Sequence, residues 1–279
     1  MVGTLYLVAT PIGNLEDMTA RAIRILGEVD LVAAEDTRRT GRLLQHIGVT
    51  KPLRSYYDAV ERERAPALVR ELLAGKSVAL VSDAGTPGIA DPGYRLVAAA
   101  IAAGIRVVPI PGPSAIAAFL PISGLPTDRF AFEGFLPARQ GERRRRLTGL
   151  ASERRTLVFY ESGRRLAAAL ADMAEAFGSR PAAVGRELTK LHEEVVRDDV
   201  RALAEHFAQR SVPGEVVLGV GGAPEAAAAV ATEDLEDEIR RRRAAGETVR
   251  DLSDAIALAR GVPRRAVYRL ALELERAPR

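Results

Sequence analysis

The chain has 279 residues, of which 47% are hydrophobic and 28% charged, so it is long enough for two folded domains and too apolar for a disordered protein. It contains no cysteine, which excludes disulfides, thiolate nucleophiles and thiolate metal sites. No apolar run approaches the ~20 residues of a membrane span, and residues 1–10 lead directly into a strand instead of a signal peptide. We therefore expect a soluble cytoplasmic protein, with a net charge of +3.

Short apolar runs and helical patterns alternate over the first 119 residues. The predicted strands are 4–10, 31–34, 53–56, 78–81 and 106–110. Helices are predicted after Thr19, after the stretch 35–39, at 59–74, at 92–103 with Asp91 as the cap, and after Ser114. This alternation predicts an α/β domain with a mostly parallel sheet and helices on both faces.

The stretch 78–93, VALVSDAGTPGIADPG, is the most informative part of the chain. A short apolar strand stops at Ser82 and Asp83, and a loop rich in Gly and Pro follows. In an open α/β sheet, ligands bind beyond the carboxyl ends of the strands, and loop NH groups with one carboxylate suit a polar cofactor. An ordinary βα turn seldom needs so many special residues. We interpret this stretch as a ligand-binding loop.

Three other predicted strand ends carry polar or small residues. The first strand stops at the loop 11–14, which begins with Pro11. The second leads into Glu35 and Asp36, two carboxylates that either serve chemistry or only favour the start of a helix. Ser114 is either a helix N-cap alone or a small residue that leaves space for a flat ligand beside free helix-start NH groups.

The second half predicts another α/β unit after a linker at 121–126. Its predicted strands are 130–135, 155–161, 182–187, 193–197 and 215–220, and its predicted helices are 143–151, 164–177 and 200–209. No crossover helix fits between the third and fourth of these strands, so the sheet should be mixed. The predicted domains are a parallel α/β domain at 1–120, a mixed α/β domain at 121–226 and a basic helical tail at 232–279.

Two regions concentrate positive charge. Residues 139–155 contain seven Arg against two Glu, including the run Arg143, Arg144, Arg145 and Arg146. Because Arg makes bidentate phosphate contacts, this run predicts a phosphate-binding flap, with a solvated basic helix as the alternative.

The second basic region, residues 240–279, contains eleven Arg against five acids. An acidic helix start at 233–238 and helices at 249–258 and 263–274, joined at Gly261, predict a helix-turn-helix unit. Arg264 and Arg265 are its predicted RNA contacts. A dimerising helical tail is the alternative.

Seven blocks together resemble a known family. They are ATPIGN at 9–14, AAEDTR at 33–38, VSDAGTPGIADPG at 81–93, PGPSA at 111–115, EGFLP at 133–137, FYES at 159–162 and RELTK at 186–190. In this order they resemble the family of ribosomal RNA small subunit methyltransferase I, from residue 5 to about 221. The resemblance implies the tetrapyrrole methylase fold, with two α/β domains, S-adenosyl-L-methionine in the cleft between them, and usually a homodimer. It also implies 2′-O-methylation of a cytidine ribose in 16S rRNA of the small ribosomal subunit, at the decoding site.

Carried over by position, the family's cofactor pocket falls on seven residues: Pro11, Ser82, Asp83, Thr86, Ile89, Ser114 and Ala115. These loops supply a carboxylate, NH donors and apolar side chains, which suit the amino-acid end and the adenosine of S-adenosylmethionine. The first loop has fewer glycines than is usual in relatives that methylate small tetrapyrroles. This difference favours the RNA branch of the family.

The sequence does not single out a general base for the ribose hydroxyl. The candidates are Glu35, Asp36, Glu133, Glu161 and Glu187, with Lys190 as an electrostatic partner. The three histidines lack the spacing of a metal pair, so we expect no metal site.

Other functions stay open at this point. A small-molecule tetrapyrrole methyltransferase of the same fold would leave the arginine clusters unexplained. A non-catalytic rRNA-binding assembly factor would explain the arginines but not an intact set of cofactor loops. A dehydrogenase is disfavoured because no strand end carries a G-x-G-x-x-G fingerprint.

Overall fold

The computed structural model describes residues 1–210, 212–260, 262 and 264–276, with 225–233 and 276 described as backbone alone. This part of the chain divides into two compact units. Unit 1 comprises Met1–Ile122 together with Glu187–Glu194, and unit 2 comprises Ser123–Arg186 together with Val195–Arg279. The predicted α/β class is confirmed in both units.

Unit 1 is built on a parallel sheet. Its strands are β1 (Thr4–Val8), β2 (Leu31–Ala34), β3 (Leu53–Ser55), β4 (Val78–Val81) and β5 (Arg106–Ile110). They lie in the order β3-β2-β4-β1-β5, and every neighbouring pair is parallel. Strands β2 and β4 are buried along their whole length, as expected for parallel strands covered on both faces.

The helices of unit 1 are α1 (Ala20–Glu28), α2 (Thr37–His46), α3 (Asp58–Leu73), α4 (Tyr94–Ala102) and α5 (Ala115–Ser123). The Thr19 hydroxyl accepts a hydrogen bond from Ala22 N at 3.1 Å and caps α1, as predicted. Leu26 of α1 packs with Ala79 in one core cluster, and Leu68 of α3 packs with Leu80 in another. Alternate residues of β4 therefore face two separate helical layers.

Several predicted limits in unit 1 differ from the observed ones; the strands predicted at 4–10 and 53–56, for example, end at Val8 and Ser55. The helix predicted at 92–103 begins at Tyr94, and its N-cap is Gly93 with φ +149°, not Asp91. Glu61 of α3 takes the capping role instead of Asp91, because its carboxylate accepts hydrogen bonds from the Gly93 and Arg95 NH groups. Residues 121–123 of the predicted linker lie inside α5, since burial of Phe119 offsets the absence of one backbone hydrogen bond at a helical proline. The division between the two units, after Ile122, falls within the stretch 121–126.

Unit 2 contains a mixed sheet, as predicted. Its strands are β6 (Phe130–Phe135), β7 (Thr156–Ser162), β8 (Pro181–Arg186), β9 (Glu194–Asp199) and β10 (Glu215–Val220). The order is β6-β7-β10-β8-β9. Strand β6 pairs parallel with β7, whereas β10 pairs antiparallel with both β7 and β8. Helices α6 (Gln140–Gly149), α7 (Leu166–Phe177) and α8 (Val200–Phe207) accompany this sheet, and Leu147, Phe159 and Met173 belong to its core.

The C-terminal tail is helical. It consists of α9 (Glu225–Ala244), α10 (Val249–Arg260) and α11 (Arg264–Arg276), and Ile239, Ile256 and Val267 lie in their shared core. The acidic stretch 233–238 lies inside α9 and does not start it, because the preceding alanine-rich run extends the helix. Gly261, predicted to join the last two helices, lies outside the described residues. Among the helices described, none is long and apolar enough to cross a membrane.

Candidate functional site

Strands β1 and β4 lie side by side at a point where the chain reverses its direction across the unit 1 sheet. After β1 the chain continues to β2, on the far side of β4, and after β4 it continues to β5, on the far side of β1. Open α/β sheets bind ligands at such a switch point, beyond the carboxyl ends of the strands. The loops that follow β1 and β4 are two of the three loops on which the family resemblance places cofactor residues.

Thr10 joins these two loops directly. Its NH donates to the Gly85 carbonyl and its carbonyl accepts from the Gly85 NH, both at 2.9 Å. Its hydroxyl donates to the Ser82 carbonyl at 3.1 Å. Gly85 has φ +81°, a conformation that residues with a side chain rarely adopt. The bases of the two loops are therefore fixed to each other, and Pro11 and Thr86 follow these fixed points in sequence.

The loop after β2 is attached to the same place through Asp83. One carboxylate oxygen of Asp83 accepts from the Asp36 NH at 2.9 Å, and the other pairs with the Arg39 guanidinium at 3.1 Å. The Asp83 NH donates to the Glu35 carboxylate at 3.3 Å. Asp83 is thus already engaged by protein groups, so its first effect is to hold the loops together.

The two adjacent carboxylates of this junction have different environments. Burial raises the pKa of the Glu35 carboxyl, and the hydrogen bond from the Asp83 NH offsets only part of the increase. The Arg38 side chain and NH donate to Asp36 and lower the pKa of its carboxyl to about 2. Asp36 also caps α2. Glu35 is therefore the better proton acceptor of the two, because basicity increases with pKa.

A fourth loop, residues 111–115, lies beside the central loop. The Thr86 hydroxyl donates to the Pro113 carbonyl at 3.2 Å. A Cβ at Gly112 would lie 3.0 Å from the Ala9 Cβ, so the fourth loop also approaches the first one closely. The Ser114 carbonyl accepts from the Ala118 NH at 2.9 Å at the start of α5. The loops after β1, β4 and β5, which carry all seven predicted cofactor residues, therefore adjoin one another within unit 1.

Glu61 is a part of this site that sequence patterns did not reveal. It is buried on α3, and its Oε1 accepts from the Tyr56 hydroxyl at 3.1 Å, the Gly93 NH at 2.9 Å and the Arg95 NH at 3.2 Å. It thereby fixes the point at which the central loop, including Ile89, enters α4. A signal was present in the sequence: Glu61 lies on the same helical face of α3 as the apolar residues Ala65 and Leu68.

Glu187 and Lys190, two further predicted catalytic candidates, follow β8 in the second half of the chain. They form an ion pair at 3.0 Å, and their segment belongs to unit 1. The Lys190 stem packs at Gly13 in the loop after β1. The structure thus brings this pair to the first loop, whereas Glu35 and Asp36 lie at the loop after β2.

Glu133 and Glu161 are engaged by arginines in unit 2. The fully buried Glu161 carboxylate receives two hydrogen bonds from Arg165, at 2.7 and 2.8 Å. Glu133 pairs with Arg146. These contacts are typical of structural ion pairs, so Glu161 and Glu133 are weaker candidates for a base than Glu35.

The predicted phosphate-binding run 143–146 is divided by the geometry of α6. The Arg143 side chain is only 6% exposed and pairs at 2.6 Å with Asp172, which is 1% exposed. This burial contradicts the predicted RNA contact of Arg143. Arg143 lies one helical turn before the buried Leu147, so the two side chains share the face of α6 that points into the core. Arg144 is exposed but pairs with Asp172 at 2.8 Å and with Glu175 at 2.9 Å.

The remaining basic candidates are exposed. Arg146 pairs with Glu133 and Arg264 with Asp254. Arg145 on α6 and Arg265 on α11 are exposed, and no ion pair joins either to another described residue. These two arginines can contact an external anion without giving up a partner.

The model of the tetrapyrrole (corrin/porphyrin) methylase family matches residues 4–204. The chain belongs to this family. Among its relatives, a ribosomal RNA small subunit methyltransferase I of Synechocystis sp. is 49% identical over 276 residues, which cover 98% of this chain and 99% of the relative. A protein of the same name from Escherichia coli O157:H7 is 46% identical over 279 residues, with coverage of 97% and 95%.

A solved tetrapyrrole methylase shows the same fold. The uroporphyrin-III C-methyl transferase from Thermus thermophilus, complexed with S-adenyl homocysteine, has a TM-score of 0.55 and is 21% identical. The match covers 78% of this chain and 97% of that one. At this identity the likeness concerns the fold alone. In the part of our chain that the structure describes, no group of three or more His, Cys, Asp or Glu side chains is placed to hold a metal ion.

Proposed function

We propose that this chain is a methyltransferase that uses S-adenosyl-L-methionine to methylate 16S rRNA of the small ribosomal subunit. The observation that carries the proposal is the meeting of four sequence blocks at the carboxyl edge of the unit 1 sheet, joined through Thr10, Asp83 and Thr86. Relatives named ribosomal RNA small subunit methyltransferase I match nearly the whole chain. We further propose that the methyl acceptor is the 2′-hydroxyl of a cytidine ribose at the decoding site.

The residues at the switch point fit S-adenosylmethionine chemically. Ile89 is an exposed apolar side chain on the central loop, suited to an adenine ring. The start of α5 at Ala115 offers helix-end NH groups to a carboxylate. The proposed contacts are Pro11, Ser82, Thr86, Ile89, Ser114 and Ala115, whereas Asp83 acts by holding the loops around them.

The cofactor, when bound, supplies a methyl group that is already activated by its sulfonium. The chain's main task is then to hold the ribose hydroxyl in line with that methyl group, since orientation contributes roughly 7–11 kcal/mol to such reactions. Glu35, with its raised pKa, and the Glu187 and Lys190 pair are the groups proposed to act on the proton of that hydroxyl. Asp36 is assigned to capping α2, because its low pKa makes it a weak base.

The proposed RNA contacts are the exposed arginines of α6 and α11, both in unit 2. Arg145 and Arg265 come first because they are exposed and unpaired among the described residues. Arg144, Arg146 and Arg264 are exposed beside acids and would exchange those partners for phosphate. We also propose a homodimer that acts in the cytoplasm, where its ribosomal substrate is found. Light scattering of the purified protein measures its molar mass and so tests the homodimer.

The test uses purified protein, S-adenosylmethionine labelled in the methyl group, and three acceptors: small ribosomal subunits, naked 16S rRNA and uroporphyrinogen. We expect label in 16S rRNA, and mass-spectrometric mapping should locate it on the ribose of one cytidine. Transfer to the tetrapyrrole alone would favour a small-molecule methyltransferase. RNA binding without any transfer would favour an assembly factor. Label on a base would contradict the 2′-O assignment.

A further inference from the structure

The turn between β8 and β9 packs on the loop that follows β1. A Cβ placed on Gly13 would lie 2.5 Å from the Lys190 Cγ, 2.8 Å from the Leu188 carbonyl oxygen and 2.9 Å from the Thr189 hydroxyl. Real Cβ contacts are not this short, and one of the three atoms belongs to the backbone. Gly13 does not have a positive φ, so its backbone conformation does not require glycine. The close approach of residues 188–190 does.

This turn carries signs of a functional constraint. Among the described residues other than glycine, positive φ occurs at Ala90, Glu187 (+50°) and Thr189 (+66°). Two of these lie in the turn and the third in the central loop of the proposed cofactor site. The Thr189 hydroxyl is buried and has no hydrogen-bond partner among the described residues. Strained backbone and unsatisfied polar groups concentrate at functional sites, where the surrounding structure maintains them.

The turn has its own hydrogen bonds, which hold Lys190 in a defined place. The Lys190 NH donates to the Glu187 carbonyl at 3.0 Å, and the Thr189 NH donates to the Glu193 carboxylate at 2.7 Å. The Lys190 ammonium donates to the Glu187 carboxylate at 3.0 Å and is partly exposed. The stem of Lys190 lies against Gly13 while its charged end is available to a ligand. The position of this ammonium therefore depends on how closely the turn approaches Gly13.

We propose that Gly13 is a positioning residue, whose missing Cβ lets residues 188–190 pack on the loop after β1 and so places the Lys190 ammonium for methyl transfer. This inference rests on the proposed function. Gly13 itself touches no reacting atom; it acts through Lys190. The base of the loop is held independently, by the bonds of Thr10 to Gly85 and Ser82. An added methyl group at Gly13 therefore displaces the turn and leaves the proposed cofactor contacts in place.

The test compares Gly13→Ala with Gly27→Ala in the full chain. Gly27 lies in α1, and a Cβ there meets nothing closer than 3.9 Å, so it is a matched control. For Gly13→Ala we expect S-adenosylmethionine affinity by calorimetry within about threefold of wild type, and kcat on small ribosomal subunits lower by about 100-fold, at the low end for a positioned acid–base or electrostatic group. Trypsin should cleave faster after Lys190. Gly27→Ala should match wild type in all three measurements.

A double-mutant cycle separates this role from simple packing. If Gly13 acts through Lys190, then Gly13→Ala combined with Lys190→Ala is no slower than Lys190→Ala alone. Independent, multiplying losses would overturn the inference, as would unchanged turnover and proteolysis in Gly13→Ala. Loss of cofactor binding or of the fold in Gly13→Ala would overturn it too, because the loop base would then depend on the turn. Wild-type protein that binds cofactor but labels no ribosomal RNA would instead contradict the proposed function.

Discussion

Replacement of Asp83 tests the junction between the loops after β2 and β4. Asp83→Ala removes the acceptor of the Asp36 NH and the partner of the Arg39 guanidinium. A hydrogen bond to a charged acceptor contributes about 1.5–3 kcal/mol, and an ion pair as exposed as that of Arg39 contributes about 0–1 kcal/mol. If this energy holds the loops in their binding conformation, affinity for S-adenosylmethionine falls roughly 10- to 100-fold, since ~1.4 kcal/mol is a factor of ten.

Asp83→Asn is the matched variant, because it keeps an oxygen for the Asp36 NH and removes the negative charge. A hydrogen bond to a neutral acceptor contributes about 0.5–1.5 kcal/mol, so we expect a smaller loss of affinity, less than about tenfold. Calorimetric titration measures both affinities, and thermal unfolding with circular dichroism shows whether the variants are folded. A folded Asp83→Ala protein with wild-type affinity would refute the reasoning. An equal loss in both variants would assign the effect to the negative charge and not to the loop junction.

Stability, pH and salt provide three more tests, all in unit 2. Asp172→Ala leaves the buried Arg143 guanidinium without its carboxylate and should lower the free energy of unfolding in urea by about 3–5 kcal/mol, against less than about 1 kcal/mol for Glu175→Ala on the same helix. Burial alone would raise the pKa of the Asp172 carboxyl, but the hydrogen bonds from Arg144, Arg143 and Gln140 outweigh burial, so the pKa lies below its usual value. The stabilisation is therefore fully present above the unfolded pKa of about 3.9 and is lost as the pH falls from there through the lower folded pKa, so the difference in urea unfolding between wild type and Asp172→Ala should begin to shrink below about pH 4. Joint replacement of Arg145 and Arg265 by Gln should reduce the salt dependence of 16S rRNA binding, with the slope falling by about 0.7 for each phosphate of single-stranded RNA that the variant no longer binds. A filter-binding series in which the slope is unchanged would make these arginines a solvated face.

Most strands of the two sheets could be predicted because they contain a short apolar run bounded by turn residues. Strands β2, β4, β5, β6 and β10 have the predicted limits. For β2 and β4, which are buried along their whole length, local sequence is sufficient because burial on both faces demands continuous apolar residues. Helix starts were less predictable. A local cap such as Thr19 can be read from sequence, but the cap of α4 is supplied by Glu61, 32 residues before Gly93. A local pattern favours the nearby Asp91 in that situation.

The basic run of α6 shows where charge patterns fail. Four consecutive arginines look equivalent in the sequence, although successive residues of a helix are rotated by about 100° and cannot all face solvent. Arg143 shares the inward face with Leu147, one turn later. Its counter-charge, Asp172, is 29 residues away on α7, and the sequence gives no sign of this pairing. Composition therefore predicted the charge of the region correctly but not which arginines an RNA could reach.

Gly13 shows what a glycine can and cannot reveal before the structure is known. Other glycines of the loops around the site, such as Gly85 and Gly88, have positive φ, and turn patterns predict that use. Gly13 does not have a positive φ, so no turn pattern in its local sequence distinguishes it from a residue that could carry a side chain. Its requirement comes from Leu188 and Lys190, which lie far later in the chain and reach it only because the turn after β8 belongs to unit 1. Gly13 therefore marks a close contact between distant parts of the chain, and not a backbone conformation that only glycine can adopt. We expect its substitution to lower turnover before it lowers stability.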